Sequence, residues 1–112
     1  MGKKGKDKRD IFYRKAKEQG YRARSSFKLL QVDEEFGIFD RDITRVIDLC
    51  AAPGSWSQVI AAKLLEKHGE RALKEPLLVS VDLFEMAPIE GATILKGDIT
   101  REKTMQEIQE IF

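Results

Sequence analysis

The sequence holds a single cysteine, Cys50, and a single histidine, His68. One cysteine excludes an internal disulfide framework, and the pair cannot furnish a zinc site by themselves. A reducing compartment, cytosol or nucleus, fits that cysteine usage best. No apolar run approaches the roughly 18 residues needed to span a bilayer, so no membrane partner is expected. The lysine-rich start has no apolar core of the kind a secretory signal needs. No repeat is present, and no low-complexity tract beyond the N-terminal lysines. Among 112 residues, 42% are hydrophobic and 35% charged, enough apolar material for one modest core.

The net charge of +1 hides a strong polarity. Residues 1–28 carry eleven Lys or Arg against three acids, a net of +8; the remainder carries nine against sixteen, a net of −7. A basic arm for a polyanion joined to an acidic domain is the reading this favours. A solubilising tail is the competing, less favoured reading for residues 1–8. It accounts less well for residues 9–28, where Phe12, Tyr13, Tyr21 and Phe27 interleave with the charges.

Residues 10–19 read as a short helix stopped by Gly20, and residues 21–24 as a linker. A second helix, capped by Ser25 or Ser26, runs to about Phe36 and ends at Gly37. Arg45 to Leu49 reads as a buried strand, Ser55 to about Lys67 as a helix with Ser55 or Ser57 as cap, and Leu77 to Leu83 as a second apolar strand. The polar connection from His68 to Pro76 has room for one helical turn. Met86 to Gly91 reads as a loop, Ala92 to Lys96 as a third strand, and Arg101 to Phe112 as a helix. Apolar strands alternating with helices predict an α/β fold with a parallel sheet and helices on its faces. Three strands are fewer than such domains usually have, so the sequence reads as the first half of a domain. The expected division is a basic helical extension over residues 1–40 and the sheet domain over residues 41–112.

The richest stretch is Asp48-Leu49-Cys50-Ala51-Ala52-Pro53-Gly54-Ser55-Trp56-Ser57-Gln58-Val59. A strand, a turn of small residues and a helix start bring main chain and helix N-terminus against a nucleotide-like ligand. The turn has one glycine, Gly54, where the dinucleotide fingerprint G-x-G-x-x-G has three, so a ligand other than NAD is expected. Asp48, Asp82 and Asp98 close the three strands at the edge where open α/β sheets bind ligands. An acid ending the second strand characteristically accepts ribose hydroxyls, and Asp98 has the chemistry to accept an adenine amino group. Each alone is an ordinary end-of-strand aspartate; three in register behind a glycine turn favour a site. The Met86-Ala87-Pro88-Ile89 loop is a candidate for apolar contact with a purine, or a plain loop with a buried Ile. Cys50 reads as an inert small turn residue.

Four motifs in order carry a resemblance: Lys6-Asp7-Lys8-Arg9-Asp10, then Tyr21-Arg22-Ala23-Arg24-Ser25-Ser26-Phe27-Lys28-Leu29-Leu30-Gln31, the Asp48 to Gln58 turn, and Gly97-Asp98-Ile99-Thr100. Together they resemble the FtsJ-type RNA 2′-O-ribose methyltransferases, and within these the eukaryotic cytoplasmic enzymes of the tRNA anticodon loop. The nucleolar rRNA branch shares part of the pattern. The segment from His68 to Pro76 departs from the family by its length. The resemblance implies a Rossmann-like methyltransferase fold and S-adenosylmethionine as cofactor. Gly54 and Trp56 would contact it in the first turn, Asp82 at its ribose and Asp98 at its adenine, with no metal. Lys28 matches the first member of the family's Lys-Asp-Lys-Glu catalytic set. The other members are expected beyond residue 112, so the 112-residue chain alone is expected to be inactive. The implied partners are RNA, tRNA first, and an accessory scaffold subunit; the implied location is the cytoplasm, or the nucleolus for the rRNA branch. A non-catalytic RNA-binding module and an NAD-dependent oxidoreductase are the competing classes.

Overall fold

The computed structural model describes residues 20–112. The expected basic tail and the helix at 10–19 lie outside them. Helix α1 spans Ser26–Phe36 and strand β1 Val46–Leu49, with a 3-10 turn at Ile38–Asp40 between them. Helix α2 (Ser55–His68), a single turn α3 (Arg71–Lys74), strand β2 (Leu78–Asp82), strand β3 (Thr93–Lys96) and helix α4 (Glu102–Ile111) follow. The elements expected within the described residues are all there within two residues at each end, including the helical turn after His68.

The sheet is parallel, ordered β1-β2-β3. Alternation along β2 divides the core into two layers. Leu78 joins Leu29, Val59, Ile60, Ala61, Leu64, Ala72 and Leu77, which come from α1, α2, α3 and the approach to β2. Val79 and Val81 point the other way and pack with Ile108 of α4. Leu78, Val79 and Val81 are fully buried, each contributing about 2 kcal/mol through apolar burial. The fold is therefore α/β, with helices on both faces of a parallel sheet.

One expectation needs correcting. β1 is buried on one face only: Asp48 is 8% exposed, whereas Ile47 is 44% and Leu49 52% exposed. It lies at the edge of this sheet, and the helix α4 covers only the β2 side of that face. Apolar sequence marked a strand but could not say how many layers would cover it.

Two glycines set the local geometry. Gly37 takes φ 61° and ends α1, its N–H donating to Asp33 O. Gly54 takes φ 112° and precedes α2 as its N-cap. Ser25 is the N-cap residue of α1 as expected, but its side chain makes no cap bond; α2 is preceded by Gly54, so neither Ser55 nor Ser57 caps it. Ser55 and Ser57 are inside the first turn of α2, where their hydroxyls have other partners.

Residues 20–40 pack onto the sheet domain. Leu29 is in the main core, and Tyr21, Leu30 and Phe39 pack against it. Tyr21 and Phe27 meet edge to face, ring centroids 5.8 Å apart. These two aromatics serve packing, which removes them from the set available to stack on bases.

Candidate cofactor and ribose site

The turn after β1 is held from below by β2. Cys50 adopts a left-handed φ of 58°, uncommon for a residue with a side chain. The chain then reverses so that Ala51 N donates to Val81 O at 2.9 Å and Ala52 N to Asp82 Oδ2 at 2.9 Å. The other oxygen of Asp82 accepts Phe84 N at 2.9 Å. Asp82 thus fixes the turns leaving both strands, and each of its oxygens keeps a lone pair for a ligand hydroxyl.

Asp98 stands two residues beyond β3. Its Oδ1 accepts both the N–H (2.9 Å) and the hydroxyl (2.6 Å) of Thr100. The Thr100 hydroxyl, then its N–H, hold the Asp98 carboxyl below the usual aspartate range; nearby Arg101 adds to this, and slight desolvation opposes it. Its Oδ2 faces Arg101 at 3.8 Å.

Asp82 and Asp98 line one cavity of about 300 Å³ with Cys50, Ala52, Leu83, Phe84, Gly97 and Ile99. Phe84 is 73% exposed, and Leu83 and Ile99 are also open to solvent. Apolar faces beside two fixed carboxylates suit a flat, hydrogen-bonding ligand such as a nucleoside. The Met86 to Ile89 loop does not line this cavity, whose apolar lining is Leu83, Phe84 and Ile99. A smaller cavity, about 190 Å³, lies across the turn between Ser25, Asp48, Pro53, Ser55 and Trp56.

Gly54 and Trp56 border the turn differently from each other. Gly54 is buried and outside both cavity linings. A β-carbon there would come within 2.8 Å of Arg22 Nη1, 2.8 Å of Ile89 and 3.0 Å of Met86. Its lack of a side chain serves the approach of its own chain. Trp56 is 39% exposed and donates from Nε1 to Ser25 O at 2.8 Å. Lys28 is exposed on the first turn of α1, its backbone N–H donating to Ser25 O at 3.0 Å; it does not line the smaller cavity, though Ser25 does.

Asp48 is set apart from the other two acids. It is 8% exposed and pairs in register with Ser80 of β2. Ser57 of α2 lies over both, donating to Asp48 Oδ2 at 2.6 Å and meeting the Ser80 hydroxyl at 2.5 Å. One proton per hydroxyl fixes the direction: Ser80 donates to Ser57, and Ser57 to Asp48. Burial pushes the Asp48 carboxyl up, opposed by the Ser57 bond and reinforced by the charge of Asp82. Asp48 still borders the smaller cavity, but its main work is to tie α2 to the sheet. Sequence reading missed Ser57 and Ser80 as its partners. The available signal was a lone serine in the otherwise apolar run Leu77 to Val81.

A parallel sheet with helices on both faces, whose carboxyl edge offers a small-residue turn, a helix start and two fixed aspartates, is an α/β domain with the features of a ligand-binding sheet edge. The FtsJ-like methyltransferase family model matches residues 21–112, from the start of the Tyr21 motif through the whole sheet. The chain belongs to that family. It is 55% identical, over its full length, to a Drosophila melanogaster protein named tRNA (guanosine(34)-2'-O)-methyltransferase, covering 35% of that protein. It is 51% identical over its full length to the Homo sapiens tRNA (cytidine(32)/guanosine(34)-2'-O)-methyltransferase, covering 32%. Ribosomal RNA large subunit methyltransferase E of Methanothrix thermoacetophila is 46% identical over 92% of the chain and is covered over 36% of its length. Among solved structures, a Plasmodium falciparum protein described as a ribosomal RNA methyltransferase aligns with a TM-score of 0.61 at 25% identity, over 82% of this chain and 50% of that one. The chain spans about a third of the length of the curated relatives it matches.

Proposed function

We propose that the protein methylates ribose 2′-hydroxyls of tRNA and that residues 20–112 supply its cofactor corner and first catalytic lysine. The observation that carries this reading is the cavity between Asp82 and Asp98, in a chain more than half identical to named tRNA 2′-O-methyltransferases. FtsJ-like methyltransferases depend on S-adenosylmethionine as a family. The residues fit its nucleoside part: Asp82 with open lone pairs for ribose hydroxyls, Asp98 Oδ2 for an amino group, and Leu83, Phe84 and Ile99 for the base faces. When bound, S-adenosylmethionine supplies a methyl group on a sulfonium, already activated for transfer.

The chain's own residues then have two tasks. The turn from Cys50 to Trp56 and the Asp82 carboxylate hold the nucleoside and exclude misplaced conformers. A ribose hydroxyl is a poor nucleophile near neutral pH, so charge developing on its oxygen must be stabilised. Lys28, exposed on the first turn of α1, is the cation for this and for holding the adjoining phosphate. Gly54 enters this reading through the shape of the turn, and Trp56 through its hold on Ser25.

The test is Lys28→Ala in the full-length protein, assayed with tRNA substrate. Methyl transfer should fall about 100- to 1,000-fold while calorimetric affinity for S-adenosylmethionine is unchanged. Full activity in the variant would remove Lys28 from the mechanism. Identity to the rRNA enzyme of Methanothrix supports a second substrate, and assaying large-subunit rRNA beside tRNA separates the two. A cytoplasmic location and an accessory subunit that selects the nucleotide belong to the tRNA reading and rest on the family resemblance alone.

A further inference from the structure

Arg22 belongs to the basic segment, yet its half-buried guanidinium is engaged by the protein's own backbone. Nη1 donates to Pro53 O at 2.9 Å and to Ala87 O at 2.8 Å, and Nη2 donates to Pro88 O at 2.8 Å. Those carbonyls come from two separate loops, the turn after β1 and the connection from β2 to β3. The Arg22 N–H is itself held by Gln58 Oε1 at 2.8 Å, and Gln58 Nε2 returns a bond to Gly20 O at 3.0 Å. Three residues on, Ser25 O accepts Trp56 Nε1, and Ser25 Oγ meets Ser55 Oγ at 2.8 Å. Residues 20–25 are thereby fastened to Pro53, Ser55, Trp56 and Gln58. Helix α1, which carries Lys28, begins at the next residue.

We propose that Arg22 is a positioning residue that locks the cofactor turn, the Ala87-Pro88 loop and the start of the Lys28 helix into one unit. Cofactor affinity and the placement of Lys28 are then set together. This rests on the functional reading above and adds a role to it. The chemistry requires arginine. A guanidinium has five N–H donors in a planar fork and can hold three diverging carbonyls, whereas an ammonium is a single point donor. An arginine recruited to grip RNA phosphate would keep its fork free; here three of the five donors are taken by backbone carbonyls of the protein itself. Gly54 supports the arrangement, since a β-carbon at that position would strike Arg22 Nη1.

The experiment uses the full-length protein with Arg22→Lys, Arg22→Ala and Gln58→Ala. Three quantities are read: calorimetric affinity for S-adenosylmethionine, the slope of log tRNA affinity against log salt, and kcat at saturating cofactor and tRNA. Arg22→Lys and Arg22→Ala should each bind the cofactor about tenfold more weakly and lose about tenfold in kcat, with the salt slope unchanged. Gln58→Ala, which leaves the guanidinium in place, should lose less in both. Cofactor affinity and kcat fully preserved in Arg22→Lys would overturn the proposal. So would a salt slope reduced by about one unit with cofactor affinity intact, which marks a phosphate contact. Should Arg22→Ala not fold, Arg22→Lys decides, and if both fail, a Gln58→Ala protein with wild-type affinity and kcat overturns the proposal. A wild-type protein without affinity for S-adenosylmethionine would instead overturn the functional reading, an outcome distinct from any loss confined to the variants.

Discussion

The two sides of the turn after β1 are built in opposite ways. On the α2 side, Asp48, Ser57 and Ser80 are buried and joined hydroxyl to carboxylate, while Arg22, Gln58 and Trp56 tie the incoming segment down. On the β3 side, Asp82 and Asp98 border an open cavity, and Phe84, Leu83 and Ile99 expose apolar surface with nothing described against them. Acids at comparable strand ends have therefore taken different work. Asp48 meets Ser57 across the α2 face and becomes part of the interior. Asp82 ends its strand with both oxygens set by backbone N–H groups, which fixes its direction without using up its accepting capacity. The closed side holds the shape of the turn, and the open side is where the proposed ligand would be recognised. A site of this kind needs both, because a fixed wall is what lets a few exposed groups select a conformation.

The sharpest way to break the contrast is at Gly54, on the closed side. Gly54→Ala places a β-carbon against Arg22 and Ile89 at a φ of 112°. Backbone strain and overpacking together should cost about 3 kcal/mol, read as a lowered urea midpoint. An unchanged midpoint would mean the turn is much looser than its hydrogen bonds indicate. On the open side the expectation reverses. Phe84→Ala should alter stability by less than about 0.5 kcal/mol, because the ring is mostly exposed. It should weaken S-adenosylmethionine binding about tenfold in calorimetry, through loss of an aromatic face. A stability loss without an affinity loss would move the ligand elsewhere.

The smallest effect is in the pH dependence, where the two acids should act with opposite signs. Burial raises the Asp48 carboxyl above its ordinary 3.8. Its contribution to stability is therefore full below that value and is lost as pH rises through the raised one. Asp48→Asn should gain on the wild type over that rise and then hold level. Asp98 is lowered by Thr100, so its contribution is present above 3.8 and fades as pH falls through the lowered value. Asp98→Asn should remove a shallow acid-side loss. Melting midpoints measured from pH 3 to 7 check both slopes, and equal slopes would contradict the assignment of Asp48 to the interior.

Much of the fold was legible because its signals are local. The apolar run Leu77 to Leu83 could only be a strand or a buried helix segment, and its length between polar flanks settled which. Gly37 stopped α1 for a reason visible in one residue. Burial was less legible. Ile47 and Leu49 look like core and are half exposed, because coverage depends on which helix crosses which strand. The serine caps of α2 failed on the same ground: Ser55 and Ser57 have the right chemistry to cap, but Ser25, 30 residues away, and Asp48 on strand β1 offered partners instead. The basic segment shows the limit most clearly. Arg22, Arg24 and Lys28 are alike in composition and charge; in the structure Arg24 and Lys28 are exposed, while Arg22 spends its donors on carbonyls at least 31 residues away.

The sequence by itself determined the class of the domain, the turn on which the site is built and the family to which it belongs. Those follow from hydrophobic period, glycine placement and the order of four short motifs, all properties of neighbouring residues. Tertiary structure alone decided which charged groups face inward and which remain for a ligand. That choice depends on hydrogen-bond partners 23 to 66 residues apart being brought within 3 Å, which no local preference specifies.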